Sequence, residues 1–109
     1  MTIIWHPEAT LSAAQTAEYI RLQDGEIASE SFIQAIDEAL ATIKAYPECG
    51  PEERLFRKNP LHFRSVPIQK LSKIIYLVED NTIYVVDFWD IRMKPWTLIT
   101  RVLNRIDNR

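Results

Sequence analysis

The spacing of the apolar residues changes once along the chain, close to Pro47, and this change limits the folds that the sequence can adopt. Before it, apolar residues recur every three or four positions, as they do in amphipathic helices. After it, they form short runs rich in valine, isoleucine and aromatic residues, as they do in strands. Helices followed by strands predict an α+β fold in which the helices cover one face of a sheet.

The first half predicts a short strand, Thr2–Trp5, and two helices. Pro7 and Glu8 suit a first helical turn, because proline lacks an N–H that would be unpaired there and a carboxylate favours the positive end of the helix dipole. Gly25 is predicted to end this helix, and a second helix runs to about Ala45. The short connection predicts an antiparallel helical hairpin. The predicted apolar stripes are Ala13, Ala17 and Ile20, then Phe32, Ile36, Leu40 and Ile43.

The second half predicts three strands and a last helix within a single domain, residues 1–109. The strands are FRSVPI, KIIYLVE and TIYVVDFW, and Pro67 places the first of them at an edge or a bulge of the sheet. The uninterrupted apolar run of KIIYLVE indicates a strand covered on both faces. Pro95 can begin a short C-terminal helix, because one face of it is then formed by Ile99, Val102, Leu103 and Ile106. Arg101, Asn104 and Arg105 are expected on the exposed side of that helix.

Length and composition exclude several classes of protein. The chain has 109 residues, which suffice for one core, and two glycines, too few for a glycine-rich phosphate loop. Its one cysteine, Cys49, has no partner for an internal disulfide and no second cysteine for a zinc site. No signal peptide and no apolar run of membrane-spanning length is visible. We therefore expect a cytoplasmic protein without a metal or cofactor.

Charge is distributed unevenly between the two halves of the chain. Residues 1–53 hold ten acidic and two basic side chains, a net charge of −8, whereas residues 54–109 hold eleven basic and five acidic ones, a net of +6. Such asymmetry points to an anionic partner for the second half. Alternatively, the two halves pack together and neutralise each other.

Two stretches resemble the RelE/ParE superfamily of toxins from type II toxin–antitoxin systems, which includes plasmid stabilisation proteins. They are IIWHPEA near the N-terminus and FRSVPIQKLSKIIYLVEDNTIYVVDFWDIRMKP, which ends in a D-x-R-x-x-P pattern at Asp90, Arg92 and Pro95. The resemblance implies that the β-meander is a curved antiparallel sheet with the hairpin packed against it. It also implies growth inhibition and a cognate antitoxin, whose acidic or amphipathic tail would suit the positive second half.

The RelE-like hypothesis is a metal-independent endoribonuclease that cuts messenger RNA on the ribosome. Attack by the 2′-hydroxyl needs a base, an acid and cations for the developing charge. Its candidate catalytic residues are Arg64, Lys73, Arg92, His62 and Asp90. The three cations among them are expected to converge on one sheet face together with Arg57 and Lys58. The chain departs from this pattern at Trp96, where ribonuclease members often place a tyrosine or histidine, because indole is a poor proton donor. The low net charge of −2 also disfavours binding to RNA.

The ParE-like hypothesis is a protein that is not an enzyme and holds DNA gyrase in a DNA-cleaved state. It requires a binding surface, and aromatic and arginine side chains are the usual anchors of such surfaces. The candidate target- or antitoxin-binding residues are Arg57, Lys58, Arg92, Lys94, Trp96 and Arg101. In a structural alternative, Trp89 lies in the core and Trp96 pins the last helix to the sheet. A third hypothesis is a non-toxic relative that retains only antitoxin binding. The sequence favours gyrase as the target, with the ribosome and messenger RNA second.

Overall fold

The order of elements is a strand, two helices, three strands and a helix, as the sequence predicts, and the α+β class is confirmed. The computed structural model describes residues 1–107. Its elements are β1 (Thr2–Trp5), α1 (Pro7–Asp24), α2 (Glu26–Ala45), a 3₁₀ turn (Arg54–Phe56), β2 (Arg64–Ile68), β3 (Ser72–Glu79), β4 (Thr82–Asp90) and α3 (Pro95–Asp107).

The four strands form one sheet in the order β1-β4-β3-β2. β2, β3 and β4 are the predicted antiparallel meander, and β1 lies parallel to β4, so the sheet as a whole is mixed. Pro67 lies on β2, an edge strand, as its missing N–H requires. β3 is an inner strand whose central residues are buried on both faces, which confirms the interpretation of its apolar run.

The helical hairpin covers one face of the sheet, which we call the hairpin face. Gly25 separates the two helices with φ = +95°, a backbone conformation that favours glycine. Phe32 of α2 meets Phe88 of β4 edge to face, with 5.7 Å between ring centroids. The other buried residues of this core include Ile36, Ile43, Ile74, Tyr76, Ile83 and Val85.

α3 and the 3₁₀ turn cover the opposite face, which we call the α3 face. Leu98 and Val102 of α3 are fully buried against Ile75 and Leu77 of β3, and Phe56 of the 3₁₀ turn belongs to the same cluster. The sheet is therefore a central layer with a core on each side. No helix within residues 1–107 has both the length and the apolar character needed to cross a membrane.

A β-bulge in β4 decides which side chains reach the α3 face. Tyr76 pairs with Val85 and Ile75 pairs with Asp87, so Val86 has no partner on β3. Side chains alternate along a strand, and one additional residue shifts that alternation. The bulge therefore directs Asp87 toward α3 rather than toward the hairpin.

Candidate functional site

The predicted corner between β4 and α3 pairs its own charges. Asp90 accepts hydrogen bonds from the backbone N–H of Arg92 at 2.8 Å and from its guanidinium at 2.6 to 3.2 Å. These bonds lower the pKa of Asp90. The guanidinium is 63% exposed and borders a cleft that Tyr19 of α1 also lines. Asp90 is thus held as a carboxylate that orients Arg92, a poor arrangement for a general base.

Lys73 lies on the α3 face, and a buried acid neutralises it. Its Nζ is 2.6 Å from Oε2 of Glu53, whose side chain is only 8% exposed. The same Nζ lies 4.4 Å from the centroid of the Trp89 ring. Trp89 itself is buried, as the structural alternative predicts for it. Lys73 therefore closes one end of the α3-face core and is not a free cation.

Arg64 lies toward the opposite face and binds the loop that follows α2. Its Nη1 donates to the backbone carbonyl of Gly50 at 2.7 Å and to that of Glu48 at 3.3 Å. Carbonyl oxygens bring no negative charge to offset the cation, so Arg64 could still attract an anion. The two hydrogen bonds nonetheless give it a clear structural role.

Tyr76 anchors the same loop. Its position in the middle of β3 predicts that its side chain packs in the sheet. Its hydroxyl donates to the carbonyl of Pro47 at 2.8 Å and accepts from the N–H of Gly50 at 3.0 Å. Burial is the largest of the effects that raise the pKa of Tyr76 to about 12. The hydroxyl therefore stays protonated at neutral pH and acts as a structural donor.

His62 lies two residues before β2, not at the start of the strand. Its Nδ1 is 2.7 Å from Oε1 of Glu52, and both side chains are more than half exposed. Together with Arg64 and Cys49 they border an open cavity of about 940 Å³. A histidine beside a carboxylate can move protons, so this cavity holds an acid–base pair in which His62 was predicted as a site residue and Glu52 was not.

The candidate cations do not converge on one sheet face, so that expectation was wrong. Arg64 pairs with Tyr76, whose side chain lies on the hairpin face, whereas Lys73 contacts Trp89 on the α3 face. Asp90 pairs with Ser72, four residues along β3 from Tyr76, or about 13 Å. The set is split between the faces and the ends of the sheet.

Arg101 and Arg105 are not on an exposed side of α3, so that prediction was also wrong. Both guanidiniums bind the fully buried carboxylate of Asp87: Arg101 through a short two-point hydrogen bond, and Arg105 at 2.9 Å. Arg105 also donates to the carbonyl of Val86 at 3.0 Å. A buried carboxylate requires cationic partners, and the four-residue spacing of the two arginines supplies them from one helix face. The sequence signal for this cluster was an acidic residue, Asp87, inside the apolar stretch VVDFW.

The remaining candidates are Lys94 and Trp96 where α3 begins and Arg57 and Lys58 directly after the 3₁₀ turn, and Arg54 on that turn adds a cation that was not predicted as a site residue. We name the set Arg54, Arg57, Lys58, Lys94 and Trp96 the basic–aromatic surface. All five residues are exposed. Within residues 1–107, none of the four cations forms an ion pair with a carboxylate. Trp96 is 63% exposed, so it does not pin α3 to the sheet as the alternative suggests.

Buried contacts hold the two parts of the basic–aromatic surface together. Phe56 of the 3₁₀ turn and Leu98 of α3 belong to the same core cluster. Lys94 places its Nζ 5.2 Å from the centroid of the Trp96 ring. Among the described residues, no three histidine, cysteine, aspartate or glutamate side chains are grouped so that they could hold a metal ion.

Comparison with known proteins connects this architecture to one family. The family model described as the ParE toxin of the type II toxin–antitoxin system parDE matches residues 3–95. No curated protein sequence matches the chain significantly.

Solved structures share the fold at low sequence identity. The chromosomal ParDE toxin–antitoxin system from P. aeruginosa matches with a TM-score of 0.68 and 13% identity, covering 84% of this chain and 97% of that one. The YoeB dimer from Staphylococcus aureus matches with a TM-score of 0.54 and 19% identity, covering 80% and 92%. These two likenesses concern the fold alone.

Proposed function

The chain belongs to the ParE toxin family of type II toxin–antitoxin systems, and we propose that it inhibits DNA gyrase by binding, without catalysing a reaction. In this proposal it holds gyrase in a DNA-cleaved state, acts in the cytoplasm and inhibits growth until a cognate antitoxin neutralises it. The family match and the ParDE likeness support the antitoxin partner.

The observation that carries the gyrase proposal is the local pairing of the candidate acid–base groups and cations. Lys73 is paired with Glu53 and Arg92 with Asp90, at one end of the sheet but on different faces of it. Messenger RNA cleavage needs a base, an acid and cations around one phosphate. A binding surface has no such requirement, and the exposed Trp96 beside the unpaired Lys94 meets its needs.

Expression without the antitoxin tests the proposal in cells. We expect induced bacteria to form filaments with damaged DNA while protein synthesis continues at first. Rapid loss of translation together with cleaved messages would contradict gyrase as the target. Normal growth at confirmed expression would support the non-toxic relative that retains only antitoxin binding.

One observation favours the RelE-like ribonuclease as the second candidate. His62, Glu52 and Arg64 border one open cavity, so a proton-transfer pair and a cation lie near each other. If this cavity cleaved RNA, His62→Ala would lower the cleavage rate by roughly 100-fold or more. Lys44→Ala, on the exposed side of α2, is the matched control. We expect His62→Ala to leave toxicity unchanged, and a non-toxic, normally folded variant would favour the ribonuclease.

A further inference from the structure

We propose that the basic–aromatic surface binds unpaired DNA, with its cations on the phosphates and Trp96 stacked on a base. The inference rests on the proposed function, because gyrase held in a DNA-cleaved state presents a broken strand to a protein bound beside it. It deepens that proposal by assigning this surface to the DNA of the gyrase–DNA complex.

The charge of the basic–aromatic surface favours an anionic partner. Arg54, Arg57, Lys58 and Lys94 are exposed and have no carboxylate partner within residues 1–107. Glu53, which precedes Arg54 in sequence, is buried and bound to Lys73. The positive charge is therefore not compensated locally, unlike the charges of Arg92, Arg101 and Arg105. Uncompensated exposed cations favour phosphates, because their binding releases counterions from the nucleic acid.

The position of Trp96 leaves its ring free to stack on a base. Its ring is mostly exposed, and Lys94 approaches it with 5.2 Å between Nζ and the ring centroid. Leu98, two residues further on, is fully buried and fixes the start of α3. An exposed indole beside a cation is a combination with which proteins bind single strands, because every base has a face on which a ring can stack. An acidic peptide would pair with the cations, but it would offer the Trp96 indole no base on which to stack.

Direct titration of the purified toxin, without gyrase, tests this inference. The probe is a labelled single-stranded DNA of about 16 nucleotides, followed by fluorescence anisotropy. With four cations on phosphates, the logarithm of the binding constant should fall against the logarithm of salt concentration with a slope of about −3. The combined variant R54Q, R57Q, K58Q and K94Q should lose this binding, whereas Lys44→Gln on α2 should retain it. Equal binding by the combined variant would overturn the proposal.

The role of Trp96 is tested in the same titration. Stacking predicts that DNA quenches tryptophan fluorescence, that Trp96→Ala weakens binding about tenfold, and that Trp96→Phe restores most of the loss. An unchanged unfolding midpoint shows that these variants are folded. Undiminished binding by Trp96→Ala would contradict the inference. So would equal competition by polyglutamate of the same charge, or tighter binding of duplex DNA or of RNA of the same sequence.

Failure of this inference can be told apart from failure of the proposed function. The oligonucleotide titration contains no gyrase, and the gyrase assay described below contains no free oligonucleotide. A toxin that stops gyrase on plasmid DNA but does not bind the single strand overturns only the inference. A toxin that binds the strand and does not affect gyrase overturns the proposed function, and with it the assignment of this surface to gyrase-bound DNA.

Discussion

At the scale of single residues, Gly50 occupies a site with no room for a side chain. A Cβ atom placed there would lie 2.7 Å from the carbonyl oxygen of Ser65 and 2.8 Å from the hydroxyl oxygen of Tyr76. We expect Gly50→Ala to lower the free energy of unfolding by about 1–3 kcal/mol, the usual effect of excess volume in a packed site. Urea denaturation measures this, with Glu48→Ala in the same loop as the control. Equal stability of the two variants would show that the loop after α2 can move away from β2.

His6 gives the fold a dependence on pH. Its Nδ1 accepts the N–H of Glu8 at 3.1 Å and caps α1. Burial is the main cause of its lowered pKa, followed by the charge of Arg105. The folded state therefore binds fewer protons than the unfolded state, and stability that is complete above the ordinary pKa of 6.5 falls as the pH drops below it.

The variant His6→Asn tests this dependence, because asparagine keeps an acceptor at the cap and does not titrate. We expect the wild type to lose stability between about pH 7 and pH 5 and the variant to lose measurably less. The measurement is the free energy of unfolding in urea across that range. Identical pH profiles of the two proteins would show that other groups control the acid response.

At the scale of elements, Asp87 holds α3 against the sheet. Its carboxylate is fully buried and binds Arg101 and Arg105 of α3. Asp87→Asn removes the negative charge and leaves two partly buried guanidiniums without compensation, so we expect a loss of about 3–5 kcal/mol in the free energy of unfolding. Asp37→Asn on the exposed side of α2 is the control and should change stability little.

A second variant separates the effect of charge on stability from the effect of packing in the cluster of Asp87, Arg101 and Arg105. Combining D87N with R101M and R105M leaves no buried charge and keeps long apolar stems, so most of the lost stability should return. Continued instability of the combined variant would mean that the hydrogen bonds of this cluster, rather than unbalanced charge, hold α3 in place.

The elements were predictable from sequence to the extent that they depend on local patterns. Apolar periodicity and the positions of Pro7, Gly25 and Pro95 define helices and turns within a few residues. The role of Asp87 was not predictable in this way, because its direction depends on a bulge set by pairing between β3 and β4. The exposed position of Trp96 likewise follows from how α3 packs on the sheet, which no local pattern encodes.

At the scale of the whole molecule, the net charge of +6 on residues 54–109 does not form one uniform surface. Buried or local carboxylates neutralise Lys73, Arg92, Arg101 and Arg105. Free cations remain on the basic–aromatic surface, whereas the acidic residues of the first half lie largely on the hairpin. This separation lets a protein with a net charge of −2 present a positive surface to the proposed gyrase–DNA target.

Incubation of the purified toxin with gyrase, ATP and supercoiled plasmid, followed by detergent and protease, tests the central claim most directly. The account predicts that linear plasmid accumulates with increasing toxin, because gyrase is held after it has cut both strands, and that cognate antitoxin prevents this. Plasmid that stays supercoiled, with no linear form, at toxin concentrations above that of gyrase would contradict the account. The contradiction would be complete if the same preparation cleaved messenger RNA on translating ribosomes.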